Sequence, residues 1–168
     1  LGSINLVPSS FDDILIGEID TNLAVKWAKL ITAFGPSDSK HTTQTKNMDY
    51  INGSLYLSGM MKGGFAPYGE EEARIASKST PLNGFVIKCD ASNGEWLGGV
   101  SADEQGIGGY FGVAKGKENN LYAYGYSWAT PNKGICLTTI DESSWEKTEK
   151  IALITETGMG TAWSCLAD

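Results

Sequence analysis

Histidine and cysteine, the residues that most often hold metals, are scarce in this sequence. A single histidine, His41, cannot build a His-rich centre. Cys89, Cys136 and Cys165 lie far apart with no Cys-x-x-Cys pair, so neither a metal nor a metal-dependent cofactor is expected. Their odd number excludes a complete disulfide framework. Basic residues are also few: 13 Lys and Arg against 20 Asp and Glu leave a net charge of −7, with no basic cluster to override it. An acidic surface repels phosphate backbones, which argues against nucleic acid as a partner. No apolar run approaches the ~18 residues that span a bilayer. Residues 1–13 lack the basic start and apolar stretch of a signal peptide, so either the protein is cytoplasmic or a targeting signal or lipid anchor lies outside this sequence.

Glycine and aromatics are abundant instead. Twenty-one glycines without a collagen-like period imply many tight turns, and seven tyrosines and five tryptophans suit strands. Two short elements then repeat. The first is an apolar run ending in aspartate: Leu15-Ile16-Gly17-Glu18-Ile19-Asp20, Phe85-Val86-Ile87-Lys88-Cys89-Asp90 and Cys136-Leu137-Thr138-Thr139-Ile140-Asp141. A polar turn and a tryptophan follow each time, at Trp27, Trp96 and Trp145. The second element is a turn pair that launches a strand ending in glycine, at 53–59 and again at 119–125. The elements alternate at a spacing of roughly 50–70 residues, the range of a four-stranded β-propeller blade.

The expected fold is therefore all-β, built of antiparallel four-stranded propeller blades, about two complete and parts of two more. Blade one covers 13–33, with strands near 13–20 and 24–33. Blade two covers 45–100, with strands near 45–51, 54–60, 84–90 and 95–100. Blade three covers 109–155, with strands near 109–115, 119–126, 134–141 and 145–155. A strand near 160–167 starts a fourth blade at 160–168. Only 70–78 carries a competing helical period, for a short turn or helix. Two blades and two fragments cannot close a ring, which implies a longer polypeptide or, alternatively, an open stack of sheets.

The runs Asn52-Gly53-Ser54-Leu55-Tyr56-Leu57-Ser58-Gly59, Gly84-Phe85-Val86-Ile87-Lys88-Cys89-Asp90 and Asn93-Gly94-Glu95-Trp96 resemble bacterial β-propeller repeats. The style is similar to secreted or surface propeller lipoproteins of Bacteroides-type bacteria, which accompany outer-membrane nutrient transporters. The resemblance implies a propeller at the extracellular or outer-membrane surface, with the periplasm as second choice. It also implies a non-catalytic role in binding or scaffolding, with protein partners, an outer-membrane transporter complex among them, or a glycan or peptide. Thr139 stands where the pattern has lysine, and the turn from Asp141 to Trp145 is shorter than the pattern's. No tryptophan-docking motif of quinone-cofactor propellers is present, so no cofactor is carried over.

Each motif has a structural reading beside a functional one. Asp20, Asp90 and Asp141 are placed to accept hydrogen bonds from the turns that follow; calcium would need several oxygens converging in one loop. The three register tryptophans read as packing between blades, and Cys89 and Cys136, in apolar slots, as small buried hydrophobes. No Gly-x-Ser-x-Gly elbow accompanies His41. Gly106-Ile107-Gly108-Gly109 lacks the lysine and helix of a phosphate loop. The alternative function is a carbohydrate-active hydrolase or lyase using paired carboxylates, drawn from Glu70, Glu71, Glu72, Asp103 and Glu104. Connections at 34–44, 61–83, 101–108 and 127–133 are long and emerge at one end of the meander, opposite the tight turns. That end is the expected binding face, with His41, Tyr68, Arg74, Glu104, Tyr110 and Trp128 as ligand-binding candidates.

Overall fold

Short runs of alternating apolar residues bounded by Asn-Gly and aspartate-led turns pair locally, because a short turn brings neighbouring strands into register with little loop entropy. In the computed structural model, which describes residues 6–7, 13–34, 43–67, 75–76, 82–102, 107–127 and 134–153, every regular element is a strand. Among these residues no helix is long and apolar enough to cross a membrane. The strands are β1 (Ile14–Ile19), β2 (Val25–Phe34), β3 (Thr43–Ile51), β4 (Ser54–Met61), β5 (Gly64–Pro67), β6 (Ile75–Ala76), β7 (Asn83–Asp90), β8 (Trp96–Ser101), β9 (Ile107–Lys115), β10 (Asn120–Ser127), β11 (Gly134–Asp141) and β12 (Lys147–Leu153).

They form three antiparallel four-stranded sheets: β1-β2-β5-β6 (sheet one), β3-β4-β7-β8 (sheet two) and β9-β10-β11-β12 (sheet three). Sheet two lies between the others, because its two faces feed two different cores. Leu57, Met61, Phe85, Ile87 and Cys89 meet Ile14, Ile16, Ile31 and Phe65 of sheet one. Tyr56, Val86 and Ala102 meet Ile107, Tyr110, Val113, Leu121, Cys136 and Ile140 of sheet three. The period-2 alternation of strands produces this division: odd positions of β7 face one neighbour and even positions the other. Cys89 and Cys136 are buried cysteines, not joined in a disulfide, on equivalent strands of different sheets.

Sheets two and three repeat one design down to individual registers. In sheet two, Ser54 pairs with Asp90 and Tyr50 with Leu55; in sheet three, Asn120 pairs with Asp141 and Lys115 with Leu121. Both first strands carry an extra residue at the same place, Lys46 in β3 and Phe111 in β9, opposite a Ser58–Gly59 or Tyr124–Gly125 step, and β9 carries a second, Gly108, opposite Tyr126–Ser127. These bulges bend the strand and sharpen its twist. The registers make Thr45 equivalent to Tyr110, Met48 to Val113 and Tyr50 to Lys115. Along the third strands they align Gly84, Val86 and Lys88 with Ile135, Leu137 and Thr139, and, in sheet one, with Ile14, Ile16 and Glu18.

Three expectations are corrected. The stretch 61–83 is not simply a connecting loop: its Gly64–Pro67 leaves sheet two and pairs with β2, with Ile31 opposite Pro67 and Phe34 opposite Gly64. Phe65 meets Phe85 edge-to-face at 4.9 Å, and that buried aromatic pair is the physical reason the segment crosses to sheet one. Within 70–78, the described residues Ile75 and Ala76 form a strand against β5 rather than a helix. The three tryptophans are also not equivalent. Ile19, Cys89 and Ile140 pair with Val25, Trp96 and Lys147, so Trp27 lies two residues beyond the position of Trp96. Trp145 matches Gly94: both donate their N–H to the aspartate carbonyl and both have positive φ, 58° and 73°. The strand expected at 160–167 lies outside the described residues.

Candidate functional site

Of the six residues picked from sequence, His41, Tyr68, Arg74, Glu104 and Trp128 lie outside the described residues, as do the carboxylates Glu70, Glu71, Glu72 and Asp103. Tyr110 is not on the loop face. It is the fourth residue of β9, fully buried in the second core, and its hydroxyl shares a 2.7 Å hydrogen bond with Thr138 Oγ1. Its ring occupies the space above Gly84, where a Cβ would come within 2.8 Å of Tyr110 Cδ2.

The aspartates that end the third strands do what their position dictates. Asp20 Oδ1 accepts from the N–H groups of Asn22 and Ala24, at 2.8 and 2.9 Å. Asp90 Oδ1 accepts from Ser92 N at 2.7 Å and Ser92 Oγ at 2.6 Å. Asp141 Oδ1 accepts from Ser143 N at 2.8 Å and Ser144 N at 3.2 Å. The serine hydroxyls and turn N–H groups hold Asp90 and Asp141 below the usual carboxylate range. Among the described residues no three His, Cys, Asp or Glu side chains converge to hold a metal.

Two arrangements at the tight-turn end stand out, and they occupy equivalent places in the two sheet interfaces. Between sheets two and three, Glu142 reaches back from the β11–β12 turn. Its carboxylate, 8% exposed, accepts hydrogen bonds from Tyr56 Oη and, at 2.9 Å, from Lys88 Nζ, and pairs with Lys115 Nζ. The Lys88 ammonium also lies 5.5 Å from the centre of the Tyr56 ring. Burial pushes the Tyr56 phenol up, the Ser54 side chain opposing it; burial and the Lys88 charge push Lys115 down, with Asp141 opposing. Two further contacts cross this interface: Val113 N donates to Asp49 Oδ2 at 3.1 Å, and Lys147 Nζ to the Ser101 carbonyl. Every member of this polar group is satisfied within it, which makes it a clamp rather than a vacant site.

Between sheets one and two the same positions carry other residues. Glu18 stands for Lys88, Tyr50 for Lys115 and Ala91 for Glu142, and no described residue stands for Tyr56. The result is a groove of about 380 Å³ lined by Gly17, Glu18, Trp27, Met48, Tyr50 and Leu55, with Gly53, Ala91 and Ser92 at its end. Met48 is 55% and Tyr50 69% exposed, large apolar surfaces beside a half-buried indole. Glu18 is held by Lys26 and accepts from Trp27 Nε1 at 3.1 Å, which ties the indole in place beside the groove. The Lys26 partner keeps Glu18 below its ordinary pKa, and Glu18 in turn raises Lys26. Gly94 permits this packing: a Cβ there would lie 2.5 Å from Trp27 Cζ3, and its φ of 73° suits glycine. Sequence reasoning missed the groove because it looked to the long loops; the usable signal was the apolar Met48 and Tyr50 alternating with Asn47 and Asp49 on β3. No family model, curated protein or solved structure matches this chain.

Proposed function

We propose that the chain is a run of β-propeller blades that binds a protein partner at the bacterial cell surface without catalysis, as an accessory of an outer-membrane nutrient-uptake complex. The observation that carries the binding reading is the groove between sheets one and two. It presents Met48, Tyr50, Leu55 and Trp27 together at a place the neighbouring interface closes with charged side chains. Exposed aromatic and methionine side chains in a concave site are the usual anchors of protein interfaces. The occupant is a peptide segment that inserts an apolar side chain beside Tyr50. The surface location rests on the resemblance of the repeats, and the propeller reading on that resemblance together with three four-stranded antiparallel sheets, of which sheets two and three match in register and the β1-β2 pair matches β7-β8.

The test is selection of binders from a displayed peptide library on the intact chain, followed by titration of the best peptide. Tyr50→Ala weakens it at least tenfold, or about 1.4 kcal/mol, while melting stays unchanged because Tyr50 is exposed. A loss on Trp128→Ala with none on Tyr50→Ala moves the site to the long-loop face. Failure to select any saturable peptide overturns the binding reading.

A further inference from the structure

β1 stands at the edge of sheet one, paired with β2 alone among the described residues. Its counterparts are paired on both sides, β7 by β4 and β8 and β11 by β10 and β12. The edge strand matches β7 in detail: a register shift follows Glu18 as one follows Lys88, and Ile16 faces sheet two as Val86 faces sheet three. An open strand edge presents a row of N–H and C=O groups that templates a further strand. Beside that edge Leu15 and Ile19 are 63% and 59% exposed, whereas the equivalent Phe85 and Cys89 are buried.

The same edge explains the groove. β9 lies across β4, so Val113 is buried and Lys115 reaches the clamp. β3 is the equivalent of β9, but no described strand lies beside β1 for it to cross, and its Met48 and Tyr50 are exposed next to Glu18 and Trp27. A strand laid against β1 in the register of β4 on β7 therefore runs beneath Met48 and Tyr50. In that register Leu55, Tyr56 and Leu57 pair with Cys89, Lys88 and Ile87, whose matches on β1 are Ile19, Glu18 and Gly17. β10 repeats the arrangement on β11, with Leu121, Tyr122 and Ala123 opposite Ile140, Thr139 and Thr138. Both resident strands thus read Leu-Tyr followed by a small or large apolar residue. Glu18 is already neutralised by Lys26, so a neutral side chain suits the place opposite it.

We infer that β1 accepts an extended segment of a separate protein partner as an added antiparallel strand. A tyrosine of the segment sits opposite Glu18 and fills the groove beneath Tyr50, and leucines lie opposite Gly17 and Ile19. The inference deepens the binding reading proposed above and rests on it: main-chain hydrogen bonds to β1 hold the segment extended, and the groove selects the side chain.

The probe is the synthetic peptide Asn-Gly-Ser-Leu-Tyr-Leu-Ser-Gly-Met, the sequence of residues 52–60, with two further forms N-methylated at alternate residues. It is titrated into the intact chain, and amide exchange over Ile14–Ile19 is followed by NMR. Only alternate N–H groups of an added strand point at β1. One methylated form therefore binds like the parent, and the other loses about 100-fold, the equivalent of a few hydrogen bonds. Alternate β1 amides exchange quickly in the chain alone and at least tenfold more slowly with the peptide bound. If all β1 amides are already protected without peptide, a segment of the chain itself holds the edge and the inference is overturned. Binding that falls with Tyr50→Ala but equally for both methylated forms overturns strand addition and leaves the groove reading standing. A parent peptide that does not bind, while library peptides lacking the Leu-Tyr-Leu pattern saturate the groove, overturns the register. Absence of any saturable peptide overturns both readings.

Discussion

The two interfaces of the central sheet are built on one register and closed by different chemistry. Between sheets two and three, Glu142 bridges Lys88 and Lys115 under the Tyr56 hydroxyl, and Tyr110 fills the space over Gly84. Between sheets one and two, Ala91 replaces the bridging acid, Glu18 reverses the charge of Lys88, and Tyr50 stands exposed where Lys115 is paired. The backbone repeats and the side chains do not. A repeat scaffold therefore confines its freedom to a few side chains at the turn end, where a change of length or charge either locks two sheets together or leaves a groove. The apolar cores beneath are less free, because each must fill a volume the shared register has already set.

The largest expected difference concerns Tyr110. Tyr110→Ala empties the second core and leaves Thr138 Oγ1 without its partner, and the loss in urea unfolding is about 3–5 kcal/mol. Thr45→Ala, at the equivalent place in the first interface, changes stability by less than about 0.5 kcal/mol, because Thr45 is exposed. Equal losses would break the comparison.

Next comes the clamp. Glu142→Gln leaves two lysines facing each other with their acid gone, a loss of about 2 kcal/mol after allowing for the lysines' partial exposure. Glu18→Gln, on the exposed pair with Lys26, leaves the unfolding midpoint unchanged. If both variants behave alike, the clamp and the surface pair are the same kind of interaction. A transplant sharpens the contrast: Ala91→Glu alone sets a carboxylate beside Glu18 and destabilises, whereas Ala91→Glu with Glu18→Lys recreates the charge order of the clamp. The double variant melts above Ala91→Glu alone, and a double variant that melts lower would show that the clamp depends on Tyr56 rather than on charge order.

The smallest effect is in the acid limb. Asp90 and Asp141 are held below their ordinary value of 3.8 by their turns. A carboxylate lowered by folding adds stability above that value and loses it as pH falls through the lower folded one. Asp90→Asn with Asp141→Asn is thus less stable than the parent at pH 7, and the two converge as pH falls through the lowered folded value. Parallel melting curves from pH 7 to 2 would show that the turns gain nothing from the ionised form.

The strands of sheets two and three and the thiol slots were legible because they depend on local pairs: a turn, an alternation and an aspartate cap within a dozen residues. Trp145 misled, since a tryptophan near the repeat distance from Asp141 resembles a register residue, although its backbone has taken the left-handed turn position that Gly94 fills in sheet two. Tyr110 misled in another way. It follows a long connection in sequence, yet β9 lies over sheet two, which puts Tyr110 over Gly84. Gly64–Pro67 carried no strand signal, because a four-residue strand with Gly and Pro at its ends gains its stability from Phe65 packing on Phe85, a contact with another sheet.

By itself, then, the sequence determined the all-β character, the turn sites and which residues alternate toward which side, since backbone sterics and burial act over a few neighbours. Tertiary structure alone decided which equivalent positions close and which stay open. Lys88, Lys115 and Glu142 are ordinary surface residues in the sequence, and only the stacking of two sheets brings their charges within a few ångströms in a place with little water. Met48 and Tyr50 look like core residues by their alternation, and are exposed because the same stacking places no described residue opposite them where Tyr56 stands in the next interface.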